Sequence, residues 1–249
     1  MEHIFTEAAG FTRKTGYKAP GLNRLNARYA AMIHPNRAHF AGARVLDLAS
    51  HDGRWSFAAL KAGAAHVTGI EVRAKLIARS ANIIPEQDRA RVRFIEGDVF
   101  EEMPRLLADG TGFDIVLCLG LFYHILDHDR LLRLMAAFKP GLIILDTGLV
   151  DSDEAFIHLK TEATDSVLNA APRGDLAEAP VGVVSRAGMA MLAAAHGYGL
   201  EYIDWDALDW PDRRNLHDYY ATQGGWLARL GLKRRTALRR YSMLLRPLA

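Results

Sequence analysis

Four carboxylates in this sequence each follow a strand-like run, and their positions suggest chemistry before any fold is drawn. Asp47 comes after Val45-Leu46, Glu71 after Val67 and Ile70, Asp98 after residues 92–97, and Asp146 after Leu142-Ile143-Ile144-Leu145. An acid at a strand's tip can accept hydrogen bonds from both hydroxyls of a ribose, because an ionised carboxylate offers only acceptors. Another apolar run, residues 113–120, leads into Leu121-Phe122-Tyr123-His124-Ile125-Leu126-Asp127-His128. Imidazole accepts a proton near neutral pH without an unusual environment, so His124 is the first candidate for a general base, with Tyr123 beside it to orient a substrate. The single cysteine, Cys118, lies inside the apolar run and reads as an inert buried thiol.

The elements that must hold these residues begin with residues 44–73, which read as strand, tight turn, helix and strand. Asp52-Gly53 punctuates the turn, Trp55-Ser56-Phe57-Ala58-Ala59-Leu60 suits a helix, and Gly63 precedes the strand that carries Val67 and Ile70. In a parallel βαβ unit a small-residue turn lets a nucleoside ligand approach the backbone, and the crossover is right-handed. Residues 74–84 suit a second helix closed by Pro85, and residues 92–96 alternate as a third strand. Residues 113–120 are the clearest buried strand. Leu131, Leu132, Leu134, Met135 and Phe138 mark an amphipathic helix that Pro140-Gly141 ends, and residues 142–145 make a fifth strand with Asp146 at its end. Ser185 is a good N-cap for a helix over residues 187–195 that Gly197 stops. Residues 200–204 read as a sixth strand and residues 241–246 as a last one.

These residues resemble the class I S-adenosylmethionine-dependent methyltransferases, whose first motif is an acid followed by three glycines at alternate positions. Asp47-Leu48-Ala49-Ser50-His51-Asp52-Gly53 keeps the acid and the last glycine, with Ala49 and His51 at the other two glycine sites. The resemblance covers residues 44–149 strongly and 183–248 weakly. It implies an α/β fold, a Rossmann-like three-layer sandwich with a mostly parallel seven-stranded sheet and an antiparallel last strand beside the fifth. It also implies S-adenosyl-L-methionine as cofactor, held by Asp47, Ala49, His51, Gly53 and Glu71, with Asp98 on the adenine amino group and Val99 and Leu119 packed against the ligand. The loop after the fourth strand would close over the donor methyl group, which makes His124 and Tyr123 the catalytic candidates. Asp146 would face the acceptor side as a third. A nicotinamide-binding domain is the rival, but a pyrophosphate against a helix N-terminus asks for several glycines, and this loop has one.

Around that centre, residues 1–43 read as a helical lid segment with one helix of about twelve residues, and residues 44–249 as the methyltransferase domain with insertions at about 150–182 and 205–240. Phe11, Arg13, Lys14 and Tyr17 are the lid's candidate contacts, although a solvated arm or a dimer contact would read the same, so a homo-oligomer stays open. The first insertion, which Phe156, Leu159 and Val167 could line as a short hairpin or helix and Pro172, Gly174 and Pro180 break, is expected to shape the acceptor pocket. The second holds Trp205, Trp210, Tyr219, Tyr220 and Trp226 among acids and arginines; such a set binds sugar rings or packs a small subdomain equally well. Asp146, Asp151, Asp153 and Glu154 form an acidic cluster where some O-methyltransferases of the resembled family hold magnesium, but the spacing fits no metal motif, a solvated loop is preferred, and no metal ligand is assigned.

With 249 residues, 50% of them hydrophobic and 24% charged, the chain can bury a large core. Its 31 basic and 29 acidic residues leave a net charge of +2, which gives little support to nucleic-acid binding despite the Lys233-Arg234-Arg235 cluster. No apolar run approaches the length of a membrane span and residues 1–14 lack the apolar centre of a signal peptide, so no membrane partner and a cytoplasmic location are expected. The combined expectation is an O-methyltransferase acting on a hydroxyl of a small acceptor, a sugar or saccharide favoured. An RNA-modifying methyltransferase and a non-enzymatic S-adenosylmethionine-binding protein are the alternatives.

Overall fold

The computed structural model describes residues 2–14, 17–166, 176–220 and 238–248, the side chains of Arg13 and Lys14 excepted. Expectations for Val167, Pro172, Gly174, Trp226 and the Lys233-Arg234-Arg235 cluster lie outside the described residues. Ahead of the sheet come α1 (Ile4–Glu7), α2 (Ala19–Arg28), which continues into a wider π turn at Tyr29–Ile33, and α3 (Arg37–Phe40). Pro20 sits in the first turn of α2, where a missing N–H costs no helical bond. The N-terminal segment is packed rather than loose: Phe5 and Phe11 are fully buried, and Phe5 meets Phe11 and Trp55 edge-on at 4.9 and 5.7 Å. Phe11, expected among the lid contacts, is therefore a core residue.

The alternating units follow as β1 (Arg44–Leu48), α4 (Arg54–Lys61), β2 (His66–Glu71), α5 (Ala74–Ile83), β3 (Val92–Glu96), α6 (Val99–Ala108), β4 (Ile115–Leu119), α7 (His128–Ala137) and β5 (Leu142–Val150). A hairpin, β6 (Ile157–Ala163) and β7 (Glu178–Val184), is inserted before α8 (Arg186–Ala195), β8 (Tyr198–Tyr202) and β9 (Leu238–Pro247). The seven-stranded sheet has the order β3-β2-β1-β4-β5-β9-β8, and β9 alone runs antiparallel to both its neighbours. Strand order reverses between β1 and β4, so their outgoing loops splay apart and leave the crevice in which α/β proteins bind ligands.

Local chemistry explains most of these boundaries. Ser185 caps α8 by accepting from the Gly188 N–H at 3.0 Å, as its position suggested. Asp98 caps α6 in the same way through the Phe100 N–H at 2.7 Å. Pro104 inside α6 cannot donate to the carbonyl of Phe100 four residues back; that carbonyl accepts from Arg130 on α7 at 3.1 Å, whose guanidinium also lies 5.0 Å over the Phe100 ring. Helices fill both faces: α2, α4 and the N-terminal segment share one buried cluster, while α6, α7 and α8 share the other.

Three expectations change. The fifth strand does not stop at Leu145 but runs to Val150, because β9 pairs with its second half from Thr147↔Tyr241 to Val150↔Leu238. Asp146 is thus a mid-strand residue, not a strand tip. The described aromatic residues of the second insertion are core: Trp205 is stacked on Tyr219 at 4.0 Å, and Trp205, Trp210, Tyr219 and Tyr220 are buried, so no face of Trp205 or Tyr219 is offered to a sugar ring. The acidic cluster after β5 does not assemble either, since Asp146 is turned inward while Asp151 and Asp153 pair with Arg186 at 3.0 and 2.6 Å. Among the described residues no helix is long and apolar enough to cross a membrane.

Candidate active site

A cavity of about 290 Å³ opens over the carboxyl ends of β1, β2 and β4, near the lower end of the range for small-molecule sites. Its floor is the turn after β1. Ala49, His51 and Gly53 have φ of +50°, +54° and +80°, so all three alternate positions adopt the left-handed conformation that glycine favours, although only one of them is glycine. Contacts hold His51 there. The His51 N–H donates to Glu71 Oε2 at 3.0 Å, and the ring Nδ1 lies 2.7 Å from Arg54 Nη2; a guanidinium only donates, so the ring nitrogen accepts. At Gly53 a Cβ would come within 2.8 Å of the Phe94 ring, so the one retained glycine is also required by space.

Ala49, His51, Glu71, Asp98, Val99 and Leu119 all stand in the cavity wall. Glu71 closes β2 and receives the N–H of Arg73 on Oε1 at 3.0 Å in addition to that of His51 on Oε2, which leaves each oxygen with a second lone pair, and the residue lines the cavity. Asp98 spends one oxygen on its helix cap and keeps the other. Ile70, Val72, Val99 and Phe100 supply apolar surface between these two acids.

Asp47 and Gly53, also expected to touch the cofactor, lie behind the wall. Asp47 precedes the last residue of β1, so its side chain points beneath the turn, is 1% exposed and accepts from Ser56 Oγ at 2.7 Å. Burial outweighs that hydrogen bond and pushes the Asp47 carboxyl up to about 7. Its place is to brace the first turn of α4 against the loop.

Tyr123 and His124 sit at the other end of the cavity. Their rings lie 4.0 Å apart, and the Tyr123 hydroxyl accepts from Arg240 Nη1 at 3.2 Å. His124 Nδ1 meets Glu162 Oε2 at 2.5 Å, and Lys160 Nζ holds the other carboxylate oxygen at 2.7 Å. Glu162, on β6, is the residue that sequence reasoning missed. The only available signal was its alternation with Lys160 in a segment read as hairpin or helix. Burial lowers the His124 pKa, partly offset by the Glu162 carboxylate. Burial works against the Glu162 anion as well, but hydrogen bonds from Lys160 and His124 outweigh it and hold the carboxyl below its ordinary value. The pair therefore consists of a carboxylate that orients a neutral imidazole, with Nδ1–H donating and the lone pair on Nε2. His128 anchors the hairpin that brings Glu162 here: its Nε2 lies 3.0 and 3.1 Å from the carbonyls of Phe122 and Gly182.

Asp146 does not reach the cavity. It is fully buried behind Arg28 and Arg240, which contact Oδ1 at 3.0 and 2.5 Å, while Tyr219 and Ser242 hydroxyls donate to Oδ2 at 3.0 and 2.6 Å. Burial opposes its ionisation, yet Arg240 and Arg28 hold its pKa below the ordinary value. Its carboxylate orients the two arginines, both of which do line the cavity. The N-terminal segment also reaches the site: Arg24 and Arg28 of α2 are in the wall, and the Tyr17 hydroxyl donates to Asp52 at 2.9 Å across the turn. Among the described residues no group of three or more His, Cys, Asp or Glu comes together in a metal-binding arrangement.

The donor set fits an adenosyl ligand. Glu71 and Asp98 offer acceptors for ribose hydroxyls and an exocyclic amine, apolar side chains separate them, and the positive-φ turn brings backbone to the cavity.

Residues 39–179 match a family model described as a methyltransferase domain. No curated protein matches the chain. Among solved structures, the chain is similar to the N-terminal domain of EvdMO1, crystallised in the presence of SAH and D-fucose, with a TM-score of 0.58 and 18% identity over 94% of this chain and 84% of that one. It is similar to the 1,6-didemethyltoxoflavin-N1-methyltransferase of Burkholderia thailandensis, with a TM-score of 0.54 and 16% identity over 99% and 81% of the two chains. An S-adenosylmethionine dependent methyltransferase from Mesorhizobium loti gives a TM-score of 0.52 and 15% identity over 85% and 96%.

Proposed function

The chain belongs to the methyltransferase-domain family of class I, S-adenosylmethionine-dependent enzymes, and from that premise we propose that it methylates a hydroxyl oxygen of a small acceptor, with His124 as general base. The observation that carries this reading is the His124–Glu162 pair at the cavity end opposite Glu71 and Asp98. A hydroxyl is a weak nucleophile until its proton is removed, whereas many nitrogen acceptors already present a lone pair. A neutral imidazole tethered by a carboxylate is equipment that an oxygen acceptor needs.

When bound, the sulfonium donor supplies an electrophilic methyl carbon and leaves as a neutral thioether. Glu71 and Asp98 would hold its nucleoside end and the Ala49–His51 turn its methionyl end, leaving Tyr123 and His124 for the acceptor. As the acceptor oxygen bonds to that carbon, His124 Nε2 takes the hydroxyl proton and the imidazolium is stabilised by Glu162. Tyr123, held by Arg240, orients the acceptor. Arg24, Arg28 and Tyr17 make the N-terminal segment the roof that limits water. Polyhydroxylated acceptors such as saccharides remain the favoured class, now supported by the charged lining at the acceptor end and not by the buried tryptophans.

A panel of saccharides, phenols and amines with methyl-labelled donor tests the proposal. Transfer to hydroxyl compounds, lost in His124→Ala with donor binding retained, is the expected result. Transfer confined to amines, or a His124→Ala protein that keeps its maximal rate, would refute it.

A further inference from the structure

Among the described residues, the wall beside Tyr123 carries more positive charge than its acids neutralise. Asp146 is one carboxylate between two guanidiniums, and its remaining partners, Tyr219 and Ser242, are neutral donors that use its lone pairs without adding charge. Arg24 does not contribute to the imbalance, since Asp218 holds it in a two-bonded pair at 2.6 and 2.7 Å. Arg28 is only 7% exposed, its guanidinium lies 4.5 Å over the Trp55 ring, and its buried Nε has no hydrogen-bond partner among the described residues. Two guanidiniums that line the cavity and share one carboxylate are costly to keep unless a second anion comes to them, and the planar fork of each matches an oxyanion.

We infer that the acceptor itself carries an oxyanion, a carboxylate or a phosphate, which Arg28 and Arg240 receive while its hydroxyl faces His124. The inference deepens the methyl-transfer reading and rests on it. The other possible source of an oxyanion is the donor's own methionyl carboxylate. Arg240 favours the acceptor, because its Nη1 holds the Tyr123 hydroxyl at 3.2 Å and the Tyr123 ring lies 4.0 Å from that of His124.

The test is calorimetric titration of protein loaded with S-adenosylhomocysteine, using matched hydroxyl compounds: glucuronate against glucose, glucose 6-phosphate against glucose, and 4-hydroxybenzoate against 4-hydroxybenzamide. At least one anionic member should bind tenfold or more tightly than its neutral partner, and Arg28→Gln should reduce that preference to about threefold or less without a matching loss of donor affinity. Anionic members that bind no better than neutral ones, or not at all, overturn the inference. So does a preference that survives Arg28→Gln, or an oxyanion compound that displaces the donor analogue instead of binding beside it. The pairwise comparison is made on the unaltered protein, so it remains decisive if Arg28→Gln fails to fold. Turnover separates the two levels of the proposal: methylation only of neutral compounds removes the oxyanion alone, whereas anionic compounds that bind beside the donor but are never methylated remove the transfer reading, and the acceptor's identity with it.

Discussion

Replacing Glu162 with Gln keeps the size of the side chain beside His124 and removes its charge. In the native site the Nδ1···Oε2 separation is 2.5 Å and both side chains are about nine-tenths buried, so the contact is a desolvated, charge-assisted one. Hydrogen bonds to charged groups are worth about 1.5–3 kcal/mol. Lys160 shares the carboxylate, which argues for the lower half of that range. Because the imidazole becomes cationic only as it takes the acceptor's proton, the loss falls on the transition state, and kcat should drop by about 10- to 100-fold. The pH dependence carries a second signature. Neutral His124 is the active form, so the rate is full above its pKa and declines as pH falls through it; burial already places that limb below the ordinary histidine value. Glu162 raises the His124 pKa, so Glu162→Gln should move the limb to still lower pH while the plateau falls. Single-turnover transfer of a labelled methyl group at saturating donor, measured from pH 5 to 8, reads both quantities, with S-adenosylhomocysteine affinity as the control for folding. An unchanged plateau, or a limb that stays in place or moves upward, would refute the assignment of Glu162 as the residue that positions the base.

Three further outcomes follow from the same contacts. Glu71→Gln halves the acceptor capacity at the end of β2 and should weaken donor binding about tenfold or more by calorimetry, with little effect on the rate at saturating donor; unaltered affinity would remove Glu71 from the donor site. Asp146→Asn leaves Arg28 and Arg240 buried without their counter-ion and should cost about 3–5 kcal/mol in urea unfolding. Since the folded-state pKa of Asp146 is depressed, its contribution is present above the unfolded value of roughly 3.9 and is lost as pH falls through the lower folded value; a stability loss confined to alkaline pH would contradict this. Ala49→Gly relieves a side chain held at φ +50° and should raise stability by about 0.5–1 kcal/mol after the added freedom of the unfolded chain is subtracted; a lower unfolding midpoint would show that the turn is not strained at this position.

Much of this architecture could be read from residue order. Strands β1, β2 and β3, the turn at Asp52-Gly53 and the cap at Ser185 lie where apolar runs and turn residues indicated, and Glu71, Asp98, His124 and Tyr123 reach the cavity from the ends of those runs. Periodicity and turn chemistry act over a few residues, so they are legible without a fold. The errors are long-range. Asp146 was misplaced because nothing local announces that β9, almost a hundred residues on, extends β5 past Leu145. The tryptophans of the second insertion could not be divided between core and ligand platform because the same side chains serve both.

What the sequence determined by itself is the framework: which acids end strands, which loop follows the central buried strand, and that an alanine and a histidine occupy a turn that prefers glycine. What only the tertiary structure decided is the company those residues keep. Glu162 reaches His124 across 38 residues, and Arg28 and Arg240 close on Asp146 across 118 and 94. Such pairings are set by how the hairpin, α2 and β9 pack onto the sheet, where burial makes an unmatched charge expensive, and that cost has no counterpart in the order of residues along the chain.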